Sequence, residues 1–87
     1  VVDRLLWAYA PPGRLLFRSG AAGDALYFVR SGEVEIRQPK EDGGLPVARL
    51  LGDNFFGEME VLTGQPHAVD AVAVMPTVYW LLYRQDL

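Results

Sequence analysis

The chain has 87 residues, of which 51% are apolar, and a formal net charge of −3. This length allows one domain, and the apolar content is sufficient for a packed core and argues against disorder. The acidic balance argues against a surface that binds duplex nucleic acid, which requires a basic stripe. The absence of cysteine excludes disulfides and thiolate metal sites and is consistent with a cytoplasmic location.

The sequence shows no targeting or membrane segment. From Val1 onward, polar and apolar residues are mixed, and the basic segment with which a signal peptide begins is not seen. The longest apolar-rich run, Ala71 to Tyr83, is interrupted by Pro76 and Thr77 and is too short to span a bilayer. The chain starts and stops abruptly, so we expect residues 1–87 to be a single domain of a larger regulatory, channel or transporter protein.

Short strands are predicted along most of the chain. Turn-forming residues recur about every 8–12 residues, which is the spacing of strands in a sandwich or barrel. Between two of the predicted strands, the segment PKEDGG contains an Asp-Gly pair and predicts a hairpin loop. In chain order, the predicted strands are Leu5–Ala10, Arg14–Phe17, Ala25–Arg30, Glu33–Gln38, Pro46–Leu51, Ala68–Val74 and Thr77–Tyr83.

One of these strands alternates regularly between apolar and polar residues. Val34 and Ile36 are predicted to face the core, whereas Glu33, Glu35 and Arg37 are predicted to face water. Seven or more short antiparallel strands with one short helix predict a mainly β fold. The expected closure is an antiparallel β-roll or jelly roll.

The sequence gives little support for an enzyme. His67 is the only histidine, and none of the few serine and threonine hydroxyls lies in a nucleophile motif. A metal-binding jelly roll needs a cluster of imidazoles and carboxylates, which one histidine cannot supply. We therefore expect no catalytic activity, no cofactor and no metal site.

The residues after Phe56 predict a tight glycine turn followed by the short helix. Glu58 and Glu60 lie in its first turn, where free backbone N–H groups and the helix dipole favour negative charge. One interpretation is that these acids only cap the helix. The other is that Gly57 lets the backbone approach a ligand, so that the N–H groups of Met59 and Glu60 point at a bound anion.

Two long segments carry a family resemblance: PPGRLLFRSGAAGDALYFVRSGEVEI and GDNFFGEMEVLTGQPHAVDAVAV. Together they resemble the cyclic nucleotide-binding domain of protein kinase A regulatory subunits, nucleotide-gated channels and catabolite activator proteins. The resemblance covers about Tyr9 to Tyr83 and includes a phosphate-binding cassette that begins at Phe56-Gly57-Glu58. It also includes spaced glycines at Gly13, Gly20, Gly23 and Gly32.

The resemblance implies a regulatory β-roll that senses a cyclic nucleotide. In relatives the cassette glycine and the amides after it bind the cyclic phosphate, which implies Gly57, Met59 and Glu60 here. The cassette glutamate accepts a hydrogen bond from the ribose 2′-hydroxyl, which implies Glu58. The residue that follows the cassette is often serine or threonine in members that prefer cGMP. Because this chain has Ala68 there, the resemblance implies cAMP rather than cGMP.

Two cassette positions depart from the family pattern. An arginine normally ends the cassette and pairs with the phosphate, and its place here holds His67. Arginine offers a permanent charge and two parallel hydrogen bonds, whereas histidine, with a reference pKa of about 6.5, is only partly protonated at neutral pH. Since a hydrogen bond to a charged group is worth about 1.5–3 kcal/mol, this loss predicts affinity weakened by about 10- to 100-fold. Glu60 replaces a small residue and adds a negative charge near the anion site.

Some compensation for the missing arginine is conceivable. A bound phosphate favours the protonated form of His67, which predicts tighter binding at acid pH. The guanidinium of Arg18, Arg30 or Arg49 could also enter the site from another strand.

Two functions therefore stay open. The first is a sensor of weakened affinity whose partners are a cyclic nucleotide and the rest of the parent chain or a partner subunit. The second is a degenerate domain that does not bind nucleotide and serves protein–protein contact. The C-terminal helix that closes the pocket in relatives would only be starting at Tyr83–Leu87, so the flanking helices are expected to be largely missing. Trp7, Trp80 and Leu87 are candidates for contact with a missing helix or a subunit.

Overall fold

The computed structural model describes residues 6–84, except for the side chains of Glu58 and Met59. The elements in chain order are the strands β1 (Leu6–Ala10), β2 (Leu15–Phe17), β3 (Ala25–Ser31), β4 (Glu33–Arg37), β5 (Pro46–Leu51) and β6 (Asn54–Phe56), the helix α1 (Glu58–Thr63), and the strands β7 (Asp70–Ala73) and β8 (Thr77–Tyr83). They form two four-stranded antiparallel sheets, with the strand orders β1-β8-β3-β6 and β2-β7-β4-β5. The predicted mainly β, antiparallel roll is confirmed.

The core lies between the two sheets and is rich in aromatic rings near α1. Along β3, buried residues alternate with half-buried ones, as expected for a strand with one face on a core. Tyr27 on this strand pairs with Phe56 on β6, and their rings stack at 5.0 Å. Phe17 on the opposite sheet approaches Tyr27 to 5.4 Å. Burial of each such side chain contributes about 1.5–3 kcal/mol, so this cluster holds the sheets together.

The structure adds one strand to those predicted. The predicted strand ends that lie within residues 6–84 agree with the observed ones to within two residues. The predicted strand start at Leu5, the predicted contact of Leu87 and most of the helix start predicted at Tyr83–Leu87 lie outside the described residues. The strand β6 was missed because it is short and runs directly into Gly57. It pairs with β3 through Phe28 and Phe55 and completes the first sheet.

The predicted hairpin loop joins β4 to β5 and contains a 3-10 turn, Lys40–Asp42. Helical structure plays a small part in this fold. Within residues 6–84, no helix is long and apolar enough to cross a membrane.

Glu35 corrects one sequence prediction. Glu35 on β4 is only 8% exposed, although the alternation of apolar and polar residues predicted that it would face water. Arg37 Nε donates to one carboxylate oxygen at 2.6 Å, and Arg49 Nη2 donates to the other at 2.8 Å. The two guanidinium groups cover the carboxylate on the outer face of the sheet. The hydrogen bond from Arg49, followed by that from Arg37, lowers the pKa of Glu35 below its ordinary value.

Candidate functional site

The candidate site begins at the turn between β6 and α1. Gly57 has a left-handed backbone, with φ of 85°, and its carbonyl accepts the N–H of Val61 at 3.0 Å to open the helix. A Cβ at Gly57 would lie 3.2 Å from the carbonyl oxygen of Ala25 and 3.3 Å from Cδ1 of Tyr27. Both the backbone conformation and the space therefore require glycine at this turn.

The helix α1 is short and ends sharply. Gly64 follows it with φ of 75°, and its N–H donates to the carbonyl of Glu60 at 2.7 Å. This is the left-handed ending in which glycine is usual. The six residues of the helix therefore make fewer than two turns after the cassette glycine, and Val61 anchors them in the core at 2% exposure.

His67 is a buried residue of the core rather than an exposed turn residue. It is 2% exposed, and its ring stacks on Phe17 with centroids 3.6 Å apart and planes 7° apart. The ring of Tyr27 meets it edge-on at 6.5 Å. The His67 backbone is also held, because its N–H donates to Ala21 and its carbonyl accepts from Gly20. Ring stacking and two backbone hydrogen bonds thus place His67 against β2 and the loop that follows it.

Glu60 and His67 contact each other across the end of α1. Nδ1 of His67 lies 3.2 Å from Oε1 of Glu60. A carboxylate partner makes Nδ1 the nitrogen that carries the proton and donates. Nε2 of His67 is buried and has no hydrogen-bond partner in the described part of the chain. Cε1, which lies between the two ring nitrogens, is 3.9 Å from the position that a Cβ of Gly57 would take.

Gly23, in the loop between β2 and β3, packs against the cassette. It is buried, and a Cβ there would overlap Cβ of Glu60 and the carbonyl oxygen of Gln65. The backbone before β3 therefore lies directly against α1 and the segment that leads to His67. The spaced glycines in the sequence pointed to this position, but not to its contact with the cassette.

The predicted site residues are brought together only in part. Phe56, Gly57 and His67 lie beside the rings of Phe17 and Tyr27, and Glu60 contacts His67. Sequence reasoning missed these two rings as members of the site. No sequence signal distinguished these two rings from ordinary core residues. The remaining predicted members fall outside this cluster: Ala68 is exposed, and the side chains of Glu58 and Met59 lie outside the description.

The three arginines considered as substitutes for the missing cation lie elsewhere. Arg49 pairs with Glu33 at 2.9 Å as well as with Glu35, and Arg30 reaches Asp53 at 4.0 Å. Arg18 lines a cavity of about 320 Å³ beside the β4–β5 loop. A second cavity of about 400 Å³ adjoins it, and neither cavity is lined by the cassette.

The position of Arg84 was not expected from the sequence. Its guanidinium packs over Gly64 at the end of α1. Among the side chains that the structure describes, no three acids or imidazoles are grouped so that they could hold a metal ion.

Residues 8–87 match the family profile described as the cyclic nucleotide-binding domain. The chain belongs to the cyclic nucleotide-binding domain family. It is 38% identical over 77 residues to the cyclic AMP receptor protein of Thermus thermophilus. It is 30% identical over 73 residues to the type II regulatory subunit of cAMP-dependent protein kinase from Drosophila melanogaster. These alignments cover 87% and 84% of this chain but only 36% and 19% of the relatives, so the chain spans a minor part of their length.

Solved structures of the family show the same fold. The catabolite activator protein of Thermus thermophilus superimposes with a TM-score of 0.87 at 33% identity, over 98% of this chain and 40% of that one. The regulatory subunit of a cAMP-independent protein kinase A from Trypanosoma brucei also gives 0.87, at 26% identity, over 95% and 30%. A triple variant of that subunit, bound to cAMP in its A site, gives 0.87 at 28% identity, over 95% and 31%. Family membership and the β-roll fold are thus confirmed.

Proposed function

We propose that this domain is a regulatory module that binds a cyclic nucleotide, cAMP in preference to cGMP, with weakened affinity. The observation that carries the proposal is the contact between Glu60 and His67 at 3.2 Å. In the family pattern these two positions hold a small residue and an arginine. Here a carboxylate and an imidazole engage each other at the place where the phosphate would be clamped.

The roles proposed for the cassette follow from its backbone and from the family pattern. The amides of Met59 and Glu60, after the left-handed Gly57, would donate to the cyclic phosphate. The carboxylate of Glu58 would accept from the ribose 2′-hydroxyl. His67 would contribute through Nε2, the ring nitrogen that has no hydrogen-bond partner among the described residues. Binding would shift the position of whatever follows β8 in the parent chain or partner, through contacts that differ between the bound and free states.

Two features of the pair predict weak binding. The carboxylate of Glu60 repels an anion, and it already uses the only side-chain proton of the neutral His67 ring. Nε2 becomes a donor only when the ring takes up a second proton. A phosphate that pairs with Nε2 would therefore bind together with a proton, whereas arginine would supply a charged partner without one.

The trypanosomal subunit supports the same reading of these positions. Its cAMP-bound variant carries a glutamate-to-alanine change, a threonine-to-arginine change seven residues later, and an alanine in place of the next residue, a valine. Glu60 and His67 have the same separation of seven residues, and Ala68 is already alanine. Two substitutions would thus give this chain the corresponding set.

A second candidate is a docking domain that binds no nucleotide. The burial of His67 and its stacking on Phe17 favour it, because these contacts fill the arginine's place with the chain's own side chains. The two candidates differ in whether cAMP can displace Glu60 from His67 at a reachable concentration.

Calorimetric titration with cAMP and cGMP at pH 6 and pH 8 distinguishes them. We compare the parent chain with Glu60→Ala, His67→Arg and the double variant, and use Glu41→Ala in the exposed hairpin loop as a control for the loss of one negative charge. We expect the double variant to bind cAMP about 10- to 100-fold more tightly than the parent. The parent should bind more tightly at pH 6, and His67→Arg should remove that dependence on pH.

Other outcomes would assign a different function. If the parent bound neither nucleotide and the double variant bound cAMP, the domain would be a docking domain whose nucleotide pocket survives. If neither the parent nor any of the three cassette variants bound a nucleotide, and circular dichroism showed that all are folded, the nucleotide proposal would be contradicted.

A further inference from the structure

A cleft lies on the outer face of the second sheet, beside the loop that joins β4 to β5. Asp70 and Val72 on β7 pair with Arg37 and Glu35 on β4, and directly paired residues of an antiparallel sheet point to the same face. The outer face that carries the ion pairs of Glu35 therefore also carries Asp70 and Val72. The two cavities of about 320 and 400 Å³ adjoin there, and we call them together the loop cleft. They share three lining residues: Leu15, Lys40 and Asp70.

The loop that walls the cleft is fixed by its own hydrogen bonds. The N–H of Gln38 donates to the carbonyl of Leu45 at 2.8 Å, and the N–H of Gly44 donates to the carbonyl of Pro39 at 3.1 Å. Oε1 of Gln38 lies 3.6 Å from the position that a Cβ of Gly43 would take. Because backbone contacts set this wall, the cleft is formed before any ligand enters, as is usual for small-molecule sites.

Unpaired groups of both charge signs line the loop cleft. Oδ1 of Asp70 accepts the N–H of Ser19 at 2.7 Å, and Oδ2 has no partner within residues 6–84. Among the same residues, the guanidinium of Arg18 and the ammonium of Lys40 form no ion pair. Glu41 adds a second acid on the exposed side of the loop. The cleft thus offers two free cations and a free carboxylate oxygen to a ligand.

This mixture of charges selects the class of ligand. A simple anion would be attracted by Arg18 and Lys40 but repelled by Asp70, and a simple cation would meet the reverse. A molecule that carries both an anionic and a cationic group can pair with all three residues. Leu15, which is 37% exposed, adds an apolar surface beside its strand partner Val72. A cavity of about 320 Å³ also falls within the range of about 300–1,000 Å³ that small-molecule sites occupy.

We propose that the loop cleft binds a free α-amino acid with an apolar side chain. The α-carboxylate would pair with Arg18 and Lys40, the α-ammonium would donate to Oδ2 of Asp70, and the side chain would lie against Leu15. The site is separate from the one proposed for a cyclic nucleotide, because no cassette residue lines the cleft. Since Arg18 and Lys40 are exposed, water and salt screen these pairs, and binding should be weak and sensitive to ionic strength.

Lys40 provides a probe inside the cleft, because it is the only lysine of the chain. Reductive methylation with isotope-labelled formaldehyde keeps its positive charge and gives one side-chain NMR signal, which Lys40→Arg removes and so assigns. Leucine should shift this signal saturably. Isocaproate has the same carbon skeleton without the ammonium, and isoamylamine has it without the carboxylate. Each should bind at least about 5-fold more weakly than leucine, because it loses one charged pair and leaves a repelling group unopposed.

Substitutions in the cleft test the assigned pairs. Asp70→Asn removes the charge and keeps an oxygen that can accept from Ser19, and Arg18→Gln removes one cation. Both variants should bind leucine about 5-fold more weakly than the parent. Arg30→Gln and Asp53→Asn are the matched controls, since these two residues lie 4.0 Å from each other and line neither cavity. Both controls should bind leucine as the parent does, and circular dichroism checks that every variant is folded.

Three results would overturn the proposal. The first is the absence of a saturable shift of the Lys40 signal with leucine and with the other apolar amino acids. The second is isocaproate or isoamylamine binding as tightly as leucine, which would make the cleft a site for simple anions or simple cations. The third is an equal loss of affinity in Asp70→Asn and Asp53→Asn, which would mean that overall charge, not the cleft, determines binding.

Discussion

Nδ1 of His67 and Oε1 of Glu60 lie 3.2 Å apart. His67, whose ring stacks on Phe17, is 2% exposed. The six residues between Glu60 and His67 include the left-handed turn at Gly64, which folds the chain back so that the two side chains meet. Under the proposed function, this polar contact would couple the stability of the fold to ligand binding. The same carboxylate that satisfies the histidine opposes an anionic ligand.

Glu60→Ala should destabilise the fold by about 1–3 kcal/mol, because it leaves Nδ1 of the buried His67 without a partner. Urea denaturation followed by circular dichroism measures the change. Glu41→Ala, which removes an exposed acid, should stay within about 0.5 kcal/mol of the parent. If the two variants were equally stable, the contact between Glu60 and His67 would contribute nothing to folding. If Glu60→Ala lost stability and gained affinity for cAMP, Glu60 would stabilise the fold at the expense of ligand binding.

Gly23→Ala should displace the cassette without any strain in its own backbone. The added methyl overlaps Cβ of Glu60 and the carbonyl oxygen of Gln65, and overpacking of this kind costs about 1–3 kcal/mol. In amide NMR spectra, the largest shifts should fall in α1 and near His67. Gly13→Ala is the comparison, since a methyl there meets nothing within 4 Å and only its φ of 91° is unfavourable. Equal effects of both variants on the α1 amides would contradict this role of Gly23.

Much of the fold could be predicted from local patterns, because the strands are short, alternating and separated by turn residues. The limits are also physical. The burial of Glu35 could not be predicted, because it depends on Arg49, which lies 14 residues away and becomes a neighbour only through strand pairing. The strand β6 was missed because three residues before a glycine turn carry too little periodicity to be distinguished from a loop.

The candidate site shows the same division. Family resemblance identified Gly57, Glu60 and His67, but the burial of His67 depends on Phe17, 50 positions earlier in the chain. A lone histidine after a proline is typical of an exposed turn. Only the closure of the roll, which brings β2 beneath the segment after α1, converts it into a stacked core residue.

Glu35 predicts a pH dependence of stability on the acid side. Its pKa in the folded chain lies below its ordinary value of 4.5 because Arg49 and Arg37 donate hydrogen bonds to it. The unfolded chain therefore takes up this proton first as the pH falls. The stabilisation is present above about pH 4.5 and is lost as the pH falls through the folded pKa. Thermal unfolding should show a flatter acid limb for Glu35→Gln than for the parent, whereas Glu41→Gln should follow the parent. If the unfolding temperatures of the parent and Glu35→Gln fell equally with pH, this role of Glu35 would be contradicted.

Tyr27 predicts a second transition, on the alkaline side. Burial, followed by the nearby charge of Asp24, raises the pKa of its phenol from 10.0 to about 12. The unfolded chain therefore loses this proton first as the pH rises. The stabilisation is complete below about pH 10 and is lost between about pH 10 and 12, a change of about 2–3 kcal/mol.

Absorbance titration of the phenolates measures this directly. Of the four tyrosines in the chain, Tyr27 should still be protonated above pH 10.0, the ordinary pKa of a phenol. Its ionisation should coincide with loss of the folded signal in circular dichroism. Tyr27→Phe should remove the latest step and extend the folded state to higher pH, since the buried ring no longer carries an ionisable group. Tyr9→Phe, which removes an exposed phenol, is the matched control and should leave the alkaline unfolding unchanged. Ionisation of Tyr27 near pH 10.0 in a chain that stays folded would show that the phenol is not desolvated beneath the cassette.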